Sequence, residues 1–380
     1  MVNRRYWQNR IEKLWTERSV LWLTGARRTG KTFLTKSLPD IEYFDCELPR
    51  VRAMMDDPEG FLAGLRGKRV VLDEVHRLAN PSELLKIAAD HFPDVRVLAT
   101  GSSSLGATTK FQDTLTGRKL TVHLTPMISS DSTDFGDRGL SHRLLFGGLP
   151  PFYVAEAFPE SQFQEWMDSF WAKDIQELFR LELRHSFQKF MELLMVQSGG
   201  IFDASRFASQ SEASRGTISN YLKVMEATHI VRIVRPYFSK KSSEIISAPK
   251  VFFFDTGFIA FAKGWVGLRP EDFGVMWEHF VLNELTAAVS GAEIMYWRDK
   301  RGHEVDFVIS RRSGKYFAIE CKWKAGDFES RNMALFFNTY SRGEYFVVAG
   351  DVTRPYKKSF GEMVVTFTGL EGLVAVLQAS

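Results

Sequence analysis

The chain has few cysteines and no long apolar run. Cys46 and Cys321 are its only cysteines in 380 residues, which excludes a disulfide framework and a cysteine-based zinc site. No apolar stretch approaches the ~18 residues that span a bilayer, and the densest one, residues 251–262, is interrupted by Asp255. The basic amino terminus lacks the apolar region of a secretory signal. We therefore expect a soluble, cytoplasmic protein with no membrane partner.

An excess of charge of one sign is also missing. The 49 lysines and arginines and 46 aspartates and glutamates give a formal charge of +3. This balance predicts no strong overall affinity for nucleic acid, so any DNA-binding surface has to be local. The 44% of hydrophobic residues and 25% of charged residues are typical of globular proteins. The length suggests two or three domains.

Short apolar segments alternate with helical stretches over the first third of the chain. This order predicts a parallel sheet flanked by helices, and the continuous apolar character suits strands covered on both faces. Helical patterns then dominate until about residue 230. After residue 250, β-rich segments return with one strong helix, residues 275–289. The predicted strands of the first sheet are residues 20–25, 41–45, 69–74, 95–101 and 119–124.

A phosphate-binding pattern at residues 25–32 follows the first predicted strand. The two glycines of this predicted loop permit a tight turn whose backbone N–H groups can cradle phosphate, and the following helix adds its positive end. Lys31 supplies a charge for the β- and γ-phosphates, and the Thr32 hydroxyl can bind Mg²⁺. The strand–loop–helix context distinguishes the motif from a chance Gly-Lys-Thr loop. The residues matching G-x-x-x-x-G-K-[ST] are Gly25, Ala26, Arg27, Arg28, Thr29, Gly30, Lys31 and Thr32. We expect ATP and Mg²⁺ as ligands.

Polar residues lie near the ends of three more predicted strands. Asp73 ends the third, where a carboxylate can hold Mg²⁺, and Glu74 beside it is the candidate general base; a solvated strand end is the alternative. Thr100 or Ser102 can sense the γ-phosphate, although each is also an ordinary strand-end hydroxyl. Arg118 precedes the fifth strand and is either an arginine finger or an exposed arginine in a salt bridge.

These motifs, taken in order, resemble the prokaryotic AAA-type ATPase family whose members carry a C-terminal domain of unknown function. GARRTGKT, LDEVHRL, TGSSS, TGR and FGGLP (residues 146–150) carry the resemblance, which covers nearly the whole chain. It implies an α/β fold with a P-loop AAA-type parallel sheet core at residues 1–140. A helical lid or linker at 141–187, a winged-helix segment at 188–248 and a nuclease-like α/β domain at 249–380 would follow.

The middle of the chain has the pattern of a helix-turn-helix. Ser214 is a suitable N-cap, and Ile218, Leu222 and Met225 share one helical face. Residues 230–238 and 244–254 would form a hairpin wing around an SKKSS tip. The side chains that would meet DNA are Arg215, Thr217, Ser219 and Asn220, with Lys240 and Lys241 near phosphates. The alternative is a winged fold that only packs domains together.

Acidic residues and a lysine are placed to meet near the carboxyl terminus. Segments 304–309 and 315–323 predict a hairpin, in which Asp306 can face Glu320 and Lys322 across the two strands. Helix 275–289 offers Glu278 or Glu284 as a further carboxylate. Carboxylates with a nearby lysine can bind Mg²⁺ and orient a water molecule.

This arrangement resembles the PD-(D/E)xK nuclease superfamily. Asp306, Glu320 and Lys322 match its core motif and Glu278 or Glu284 its helical acid, but the Pro-Asp dipeptide is absent. The alternatives are an ion-pair cluster at a sheet edge and a degenerate nuclease fold kept as a protein-binding scaffold.

Two functional hypotheses follow from the motifs together. In the first, the chain hydrolyses ATP with Mg²⁺ to control a C-terminal nuclease-like module for which DNA is a candidate partner. In the second, it is a nucleotide-operated switch whose winged-helix and nuclease-like domains bind a protein partner and cleave nothing. An oligomer is expected if Arg118 acts on a neighbouring subunit.

Overall fold

A computed structural model of the chain describes residues 3–101, 109–176, 183–237, 248–289, 291–310 and 315–379. Ser102, Lys240, Lys241 and the RRSG turn lie outside the described residues. The structure confirms the predicted α/β class: a sheet of parallel strands, a set of helices and a second, mixed sheet follow one another along the chain.

The first sheet is parallel and has the strand order β2-β3-β4-β1-β5. Strand β1 pairs with β4 on one side and β5 on the other, so that Leu23 lies beside Thr100 and Thr24 beside His123. The loops after these strands therefore share one edge of the sheet. The strands are β1 (Val20–Thr24), β2 (Ile41–Asp45), β3 (Arg69–Asp73), β4 (Arg96–Thr100) and β5 (Lys119–His123).

Apolar layers cover both faces of this sheet, as predicted from its continuous apolar strands. Val20 and Trp22 belong to one apolar cluster, whereas Leu21 and Leu23 belong to another, because successive side chains of a strand point to opposite faces. The helices around the sheet are α1 (Arg5–Trp15), α2 (Lys31–Lys36), α3 (Pro49–Met54), α4 (Pro58–Ala63), α5 (Pro81–His91), α6 (Thr109–Leu115) and α7 (Ser129–Asp134).

A buried arginine ties the amino terminus to the loop after β1. The guanidinium of Arg4 pairs with Asp131, and its Nη1 donates to the carbonyl oxygen of Thr29 at 2.8 Å. Its Nη2 donates to the carbonyl oxygen of Thr125 at 3.4 Å. Because a buried charge requires a partner, these contacts fix helix α1 against the phosphate-binding pattern.

Helices occupy the middle of the chain. Ser214 acts as the predicted N-cap, since its Oγ accepts the backbone N–H of Thr217 at 3.0 Å. Ile218, Leu222 and Met225 are buried. The helices are α8 (Leu140–Phe146), α9 (Pro150–Tyr153), α10 (Glu160–Phe170) with a π-helical continuation (Trp171–Gln176), α11 (Arg184–Val196), α12 (Ala204–Gln210) and α13 (Arg215–Ala227).

The second sheet has the order β12-β13-β11-β10-β9-β8-β6-β7. The hairpin predicted after the helix-turn-helix pattern forms from β6 and β7, but β6 also pairs in parallel with β8. The hairpin is therefore continuous with the C-terminal sheet. The strands are β6 (Val231–Pro236), β7 (Lys250–Phe253), β8 (Ile294–Arg298), β9 (Glu304–Ser310), β10 (Tyr316–Lys322), β11 (Gly343–Ala349), β12 (Tyr356–Phe360) and β13 (Met363–Thr368).

One apolar core joins the middle helices to the C-terminal sheet. It includes Trp166 of α10, Phe253 of β7 and Phe346 of β11. The long helix α15 (Phe273–Ala288) also contacts the segment that follows β5, because Asn283 Nδ2 donates to the carbonyl oxygen of Pro126 at 3.1 Å. No helix in the described ranges is long and apolar enough to cross a membrane. The remaining helices are α14 (Thr256–Ala262), α15 (Phe273–Ala288), α16 (Ser330–Thr339) and α17 (Leu370–Ala379).

Candidate functional site

An open cavity of about 820 Å³ lies at the carboxyl edge of the first sheet. Glu74 and His76 line it after β3, and Pro150 and Asp174 line it from the middle helices. Its volume lies within the range of ligand pockets. The predicted phosphate-binding residues that line it are Gly25, Arg27, Arg28, Gly30, Lys31 and Thr32.

The loop after β1 has a backbone that requires glycine. Gly25 has φ of +151°, and a Cβ there would lie 2.3 Å from the carbonyl oxygen of Leu124. Gly30 has φ of +94° at the start of α2. Ala26 and Thr29 are buried and shape the loop, since the Thr29 hydroxyl donates to the carbonyl oxygen of Ala26 at 2.8 Å. The predicted loop thus has the tight form that brings its residues to the cavity.

Lys31 is held inside this loop. Its Nζ donates to the carbonyl oxygens of Gly25 at 2.8 Å and Ala26 at 3.0 Å. Burial lowers the pKa of Lys31, against the opposing effect of the carboxylates of Glu74 and Asp174. A phosphate in the cavity would offer this ammonium a charged acceptor in place of two neutral carbonyls.

Asp73, at the end of β3, is buried among hydroxyl groups. The Tyr43 hydroxyl donates to its Oδ2 and the Thr100 hydroxyl to its Oδ1. Burial and the hydrogen bond to Asp73 raise the pKa of Tyr43. Thr100 Oγ1 also accepts the backbone N–H of Glu74 at 3.1 Å. Thr100 therefore links the predicted metal-binding carboxylate to the predicted base, a connection that the sequence did not reveal.

Glu74 lines the cavity in a left-handed backbone conformation, with φ of +56°. Its Oε2 lies 3.1 Å from Nδ1 of His76. The hydrogen bond from His76 lowers the pKa of Glu74, although burial opposes this. The carboxylate is thus ionised at neutral pH and can accept a proton from water.

Arg118 lies at the opposite edge of the sheet from the cavity. It precedes β5, whose strand runs parallel to β1, so the five-residue strand separates it from the loop by about 15 Å. Its Nε lies 2.7 Å from Asp90 Oδ1 of α5. The ion pair fits the salt-bridge alternative, and Arg118 does not contact the cavity of its own chain.

Asp174 is a cavity residue that sequence reasoning missed. It lies 3.2 Å from Arg27 Nη1, and burial raises its pKa, against the opposing charges of Arg27 and Lys31. Arg28 pairs in turn with Glu165 at 2.9 Å. Two arginines of the loop are thus bound to the helices that cover it. No motif marks these partners, which lie nearly 150 residues from the loop.

The C-terminal acidic residues converge as the strand pattern predicted. Strands β9 and β10 pair from Ser310 with Tyr316 to Phe307 with Ile319, and one further step sets Asp306 opposite Glu320. Asp306 Oδ2 accepts the backbone N–H of Cys321 at 2.8 Å. Glu320 Oε1 lies 3.0 Å from Lys322 Nζ.

Lys250 is a second lysine in this acidic cluster, and the sequence did not reveal it. It is only 5% exposed. Its Nζ lies 3.1 Å from Glu278 Oε1 and pairs with Glu304. Burial would lower the pKa of Lys250, but the carboxylates of Glu278, Asp306 and Glu304 outweigh burial and raise it. Lys250 is therefore charged and neutralises part of the cluster.

Two acidic residues of the cluster, Glu278 and Glu320, are difficult to ionise. Burial and the charge of Asp306 raise the pKa of Glu278 to about 7 and that of Glu320 to about 8. Glu320 Oε2 is buried and has no hydrogen-bond partner among the residues that the structure describes. Within the described residues, no three acidic, histidine or cysteine side chains are already spaced to hold a metal ion. In this structure the carboxylates of the cluster are paired with the ammonium groups of Lys250 and Lys322.

Glu284 lies away from the cluster. Its Oε1 accepts both the backbone N–H and the hydroxyl of Ser129, at the start of α7. Burial raises the pKa of Glu284 to about 7, while the contacts with Ser129 and the charge of Arg143 oppose this. Of the two alternatives for the helical acid, the structure thus brings Glu278 to Asp306 and uses Glu284 at the contact with the first sheet.

The candidate DNA-reading residues lie on one helix of the middle segment. Arg215, Ser219 and Asn220 are exposed on α13. Thr217 is partly buried, and its Oγ1 lies 2.8 Å from Ser214 Oγ. Exposure leaves these side chains accessible to a partner but does not identify the partner.

Family models cover most of the chain in three segments. A model described as an AAA domain matches residues 17–131. Two models described as domains of unknown function match residues 137–269 (DUF8612) and 273–368 (DUF4143). These matches support an AAA-type ATP-binding protein family. Because no function is assigned to the model that matches the C-terminal segment, the nuclease-like interpretation stays a prediction.

Similar proteins include uncharacterized proteins of Mycobacterium bovis and Mycobacterium tuberculosis. Each is 27% identical over 346 residues, which is 88% of this chain and 77% of theirs. Similar solved structures include a Walker-type ATPase of Pyrococcus abyssi, with 14% identity, a TM-score of 0.46 and coverage of 69% of this chain and 96% of that one. A signal-transduction ATPase with a tetratricopeptide repeat sensor from Pyrococcus horikoshii has 11% identity, a TM-score of 0.31 and coverage of 76% and 46%. Structural similarity at this level carries no argument about activity.

Proposed function

We propose that the chain is an ATPase that hydrolyses ATP with Mg²⁺ and uses the nucleotide cycle to control its C-terminal acidic cluster. The observation that carries the proposal is that Lys31, Thr32 and Glu74 line one cavity. Asp73 lies beside them and is joined to the backbone of Glu74 through Thr100. A cation, metal-binding oxygens and an ionised base are the parts that phosphoryl transfer to water requires.

Each of these residues has a distinct part in hydrolysis. Lys31 binds the β- and γ-phosphates, and Thr32 and Asp73 would hold Mg²⁺, which supplies charge neutralisation when bound. Glu74 accepts a proton from the attacking water, and its contact with His76 keeps it ionised beforehand. Asp174 and Glu165 hold the loop arginines, which keeps the covering helices against the cavity.

A packed path connects the cavity to the C-terminal region. Trp166 Nε1 donates to the carbonyl oxygen of Arg27 at 3.3 Å. The same Trp166 ring stacks on Phe254 and contacts Phe258 edge-on. Phe254 follows β7, the strand that begins with Lys250. We infer that a change at the phosphate-binding loop can be transmitted along these contacts to β7 and its lysine.

The C-terminal cluster supports a cation-dependent hydrolytic module with DNA as the candidate substrate. Glu320 presents a buried oxygen that has no partner in the described part of the chain, and Asp306 lies close enough to raise the pKa of Glu320. Lys322 could orient a water molecule there. Mg²⁺ at this position would relieve the repulsion between Asp306 and Glu320. Entry of the ion would require Lys250 to move away from Glu278. This movement is the step that the nucleotide cycle would control.

A protein-binding switch is the second candidate, and Lys250 is the observation that favours it. A lysine that permanently neutralises the carboxylates stabilises the sheet without a metal, as expected for a scaffold. In that case the nucleotide cycle would change only the surface that the C-terminal region offers to a partner.

ATP turnover with and without linear and branched DNA tests the first proposal. We expect DNA to stimulate turnover, with a steep dependence on salt, and Mn²⁺ to support DNA cleavage that Asp306→Ala abolishes. Asp327→Ala, an exposed aspartate in the same region, is the control. If DNA does not change the rate of ATP turnover and no DNA is cleaved in the presence of Mn²⁺, the protein-binding switch would be the function.

Arg118 can assist hydrolysis only in another subunit. If it completes a neighbour's nucleotide site, turnover per subunit rises with protein concentration, and Arg118→Ala lowers it by orders of magnitude with little change in nucleotide affinity. Arg66→Ala, which breaks a comparable exposed pair with Asp94 at 3.2 Å, is the matched control. Concentration-independent turnover that Arg118→Ala leaves intact would restrict Arg118 to its ion pair with Asp90.

A further inference from the structure

An arginine without a counterion among the described residues lies where three parts of the chain meet. Arg232, on β6, is partly buried, and its buried Nη1 has no hydrogen-bond partner within the described part of the chain. It lines a cavity of about 270 Å³ together with His123 at the end of β5 and His229 after α13. Thr286 of helix α15 closes the third side. It shares no lining residue with the cavity of about 820 Å³ beside the phosphate-binding loop, which we call the ATP cavity.

Arg232 shares the lining of this cavity with two histidines and two glutamates. Burial alone lowers the pKa of Arg232 to about 9, and no carboxylate of the described residues offsets this effect. Burial, with the charges of Lys31 and Arg232, lowers the pKa of His229 to about 3. Burial and the same neighbours also lower the pKa of His123. Arg232 is thus charged at neutral pH, whereas both imidazoles are neutral.

The two glutamates at the cavity do not neutralise Arg232. Glu226 lies 3.5 Å from the exposed Arg235, and Glu293 also lines the cavity but does not affect the pKa of Arg232. A buried guanidinium without a charged or hydrogen-bonding partner is costly. A small anion would offset that cost.

We propose that this cavity binds a small oxyanion of the phosphate class, with Arg232 as its principal ligand. The guanidinium fork matches the oxygens of such an anion, and His123 and His229 can donate their ring N–H groups. The cavity is smaller than typical pockets for drug-sized ligands, which suits inorganic phosphate or the phosphate end of a mononucleotide.

The position of the cavity gives such an anion a regulatory effect. His229 Nε2 lies 2.6 Å from Thr24 Oγ1, and Thr24 directly precedes the phosphate-binding loop. The rings of His123 and His229 meet edge-on with centroids 4.5 Å apart. An anion that binds His229 would alter its contact with Thr24, so the affinity of the ATP cavity for nucleotide and the affinity of this cavity for the anion would be linked.

Calorimetric titration with inorganic phosphate tests the proposal. The Lys31→Ala variant is used throughout, because it weakens phosphate binding at the ATP cavity. We expect one phosphate site in Lys31→Ala, and at least a tenfold loss of affinity when Arg232→Gln is added. Lys223→Gln, which removes an exposed positive charge from α13, is the control and should leave phosphate affinity unchanged. A second titration, with adenosine monophosphate, distinguishes free phosphate from the phosphate end of a nucleotide as the ligand. If adenosine monophosphate binds more tightly than phosphate, and Arg232→Gln abolishes this binding, the ligand is the phosphate end of a nucleotide.

Thermal unfolding provides a readout independent of affinity. In phosphate-free buffer, Arg232→Gln should melt at a higher temperature than its parent, because an unpaired buried charge is removed. Phosphate should raise the melting temperature of the parent but not that of Arg232→Gln. Arg232→Lys keeps a cation without the fork and should bind phosphate weakly. Absence of phosphate binding in Lys31→Ala, or binding that Arg232→Gln and Arg232→Lys leave unchanged, would overturn the proposal.

Discussion

The ATP cavity and the C-terminal acidic cluster both combine lysines with carboxylates, but they use the lysines differently. Lys31 donates to neutral carbonyl oxygens beside an open cavity, whereas Lys250 and Lys322 are paired directly with carboxylates. A charged lysine bonded to neutral acceptors gains from an arriving phosphate, while a lysine already in an ion pair must first break it. We therefore expect the ATP cavity to bind an anion directly, whereas the acidic cluster would bind a cation only after a lysine has left its carboxylate partner.

The same difference is visible in proton affinities. His76 lowers the pKa of Glu74 in the ATP cavity, whereas burial and Asp306 raise the pKa of Glu320 in the cluster. A carboxylate next to a hydrogen-bond donor stays ionised, but crowded buried carboxylates tend to keep a proton. We therefore expect the cluster to need the positive charge of Lys250. Removal of that charge should show the difference between the cluster and the ATP cavity most strongly.

Lys250→Met should produce the largest change in stability. The substitution keeps the aliphatic stem but leaves Glu278 and Glu304 without their cation, and breaking a buried ion pair costs about 3–5 kcal/mol. Chemical denaturation at pH 8 measures the loss. Mn²⁺ should restore part of the stability of Lys250→Met and little in wild type. Lys357→Ala, on the exposed strand β12, is the control. A Lys250→Met variant as stable as wild type would remove the basis for a closed cluster.

Lys31→Ala should weaken ATP binding by about 100-fold, which corresponds to ~3 kcal/mol for a lost hydrogen bond to a charged group. Equilibrium titration with Mg²⁺ and a non-hydrolysable ATP analogue measures the affinity. Lys13→Ala removes one exposed positive charge from α1 and should leave the affinity unchanged. Equal affinities in wild type and Lys31→Ala would mean that the cavity does not bind phosphate through this lysine.

Glu284→Gln should produce the smallest change, confined to high pH. Burial raises the pKa of Glu284 from 4.5 to about 7, so the folded state binds this proton more tightly than the unfolded state. The resulting stabilisation is complete below pH 4.5 and is lost as the pH rises to 7. Glutamine can still accept the hydrogen bonds from Ser129, so this variant should match wild type at pH 4 and be more stable at pH 8, by no more than about 3 kcal/mol.

Denaturant titrations at the two pH values measure this difference. Glu362→Gln, at an exposed turn, should follow wild type at both. A Glu284→Gln variant that is less stable than wild type at pH 8 would show that the ionised carboxylate stabilises its contact with α7.

The phosphate-binding loop was predictable because its residues are contiguous and its context is local. A strand, two glycines and a Lys-Thr pair identify it within thirteen residues, and the structure places that loop at the cavity. The pairing of Asp306 with Glu320 was predictable for a similar reason, since a short hairpin fixes which residues face each other.

Partners from distant segments were not predictable. Lys250 reaches Glu278 and Glu304 because β7 extends the same sheet as β9 through β6 and β8, and a sequence without a known sheet order does not give that proximity. Arg232 is likewise buried by helix α15 and by β5, which come from both sides of it in the chain.

The choice between Glu278 and Glu284 depended on the rotation of helix α15. An amphipathic helix shows its orientation through its polar face, but α15 is buried around most of its circumference. The two glutamates are six residues apart and therefore point in different directions. The packing of α15 between the two sheets determines its rotation. It places Glu278 near Asp306 and Glu284 against Ser129.

Single-turnover ATP hydrolysis in wild type and Glu74→Gln is the most direct test of the ATP cavity as a hydrolytic site. Glu83→Gln, an exposed glutamate of α5, is the matched control. We predict that Glu74→Gln binds the Mg²⁺ complex of ATP as tightly as wild type but hydrolyses it about 100- to 10,000-fold more slowly, as expected when a general base is lost. Hydrolysis by Glu74→Gln at the wild-type rate would contradict the assignment of the base and of the cavity.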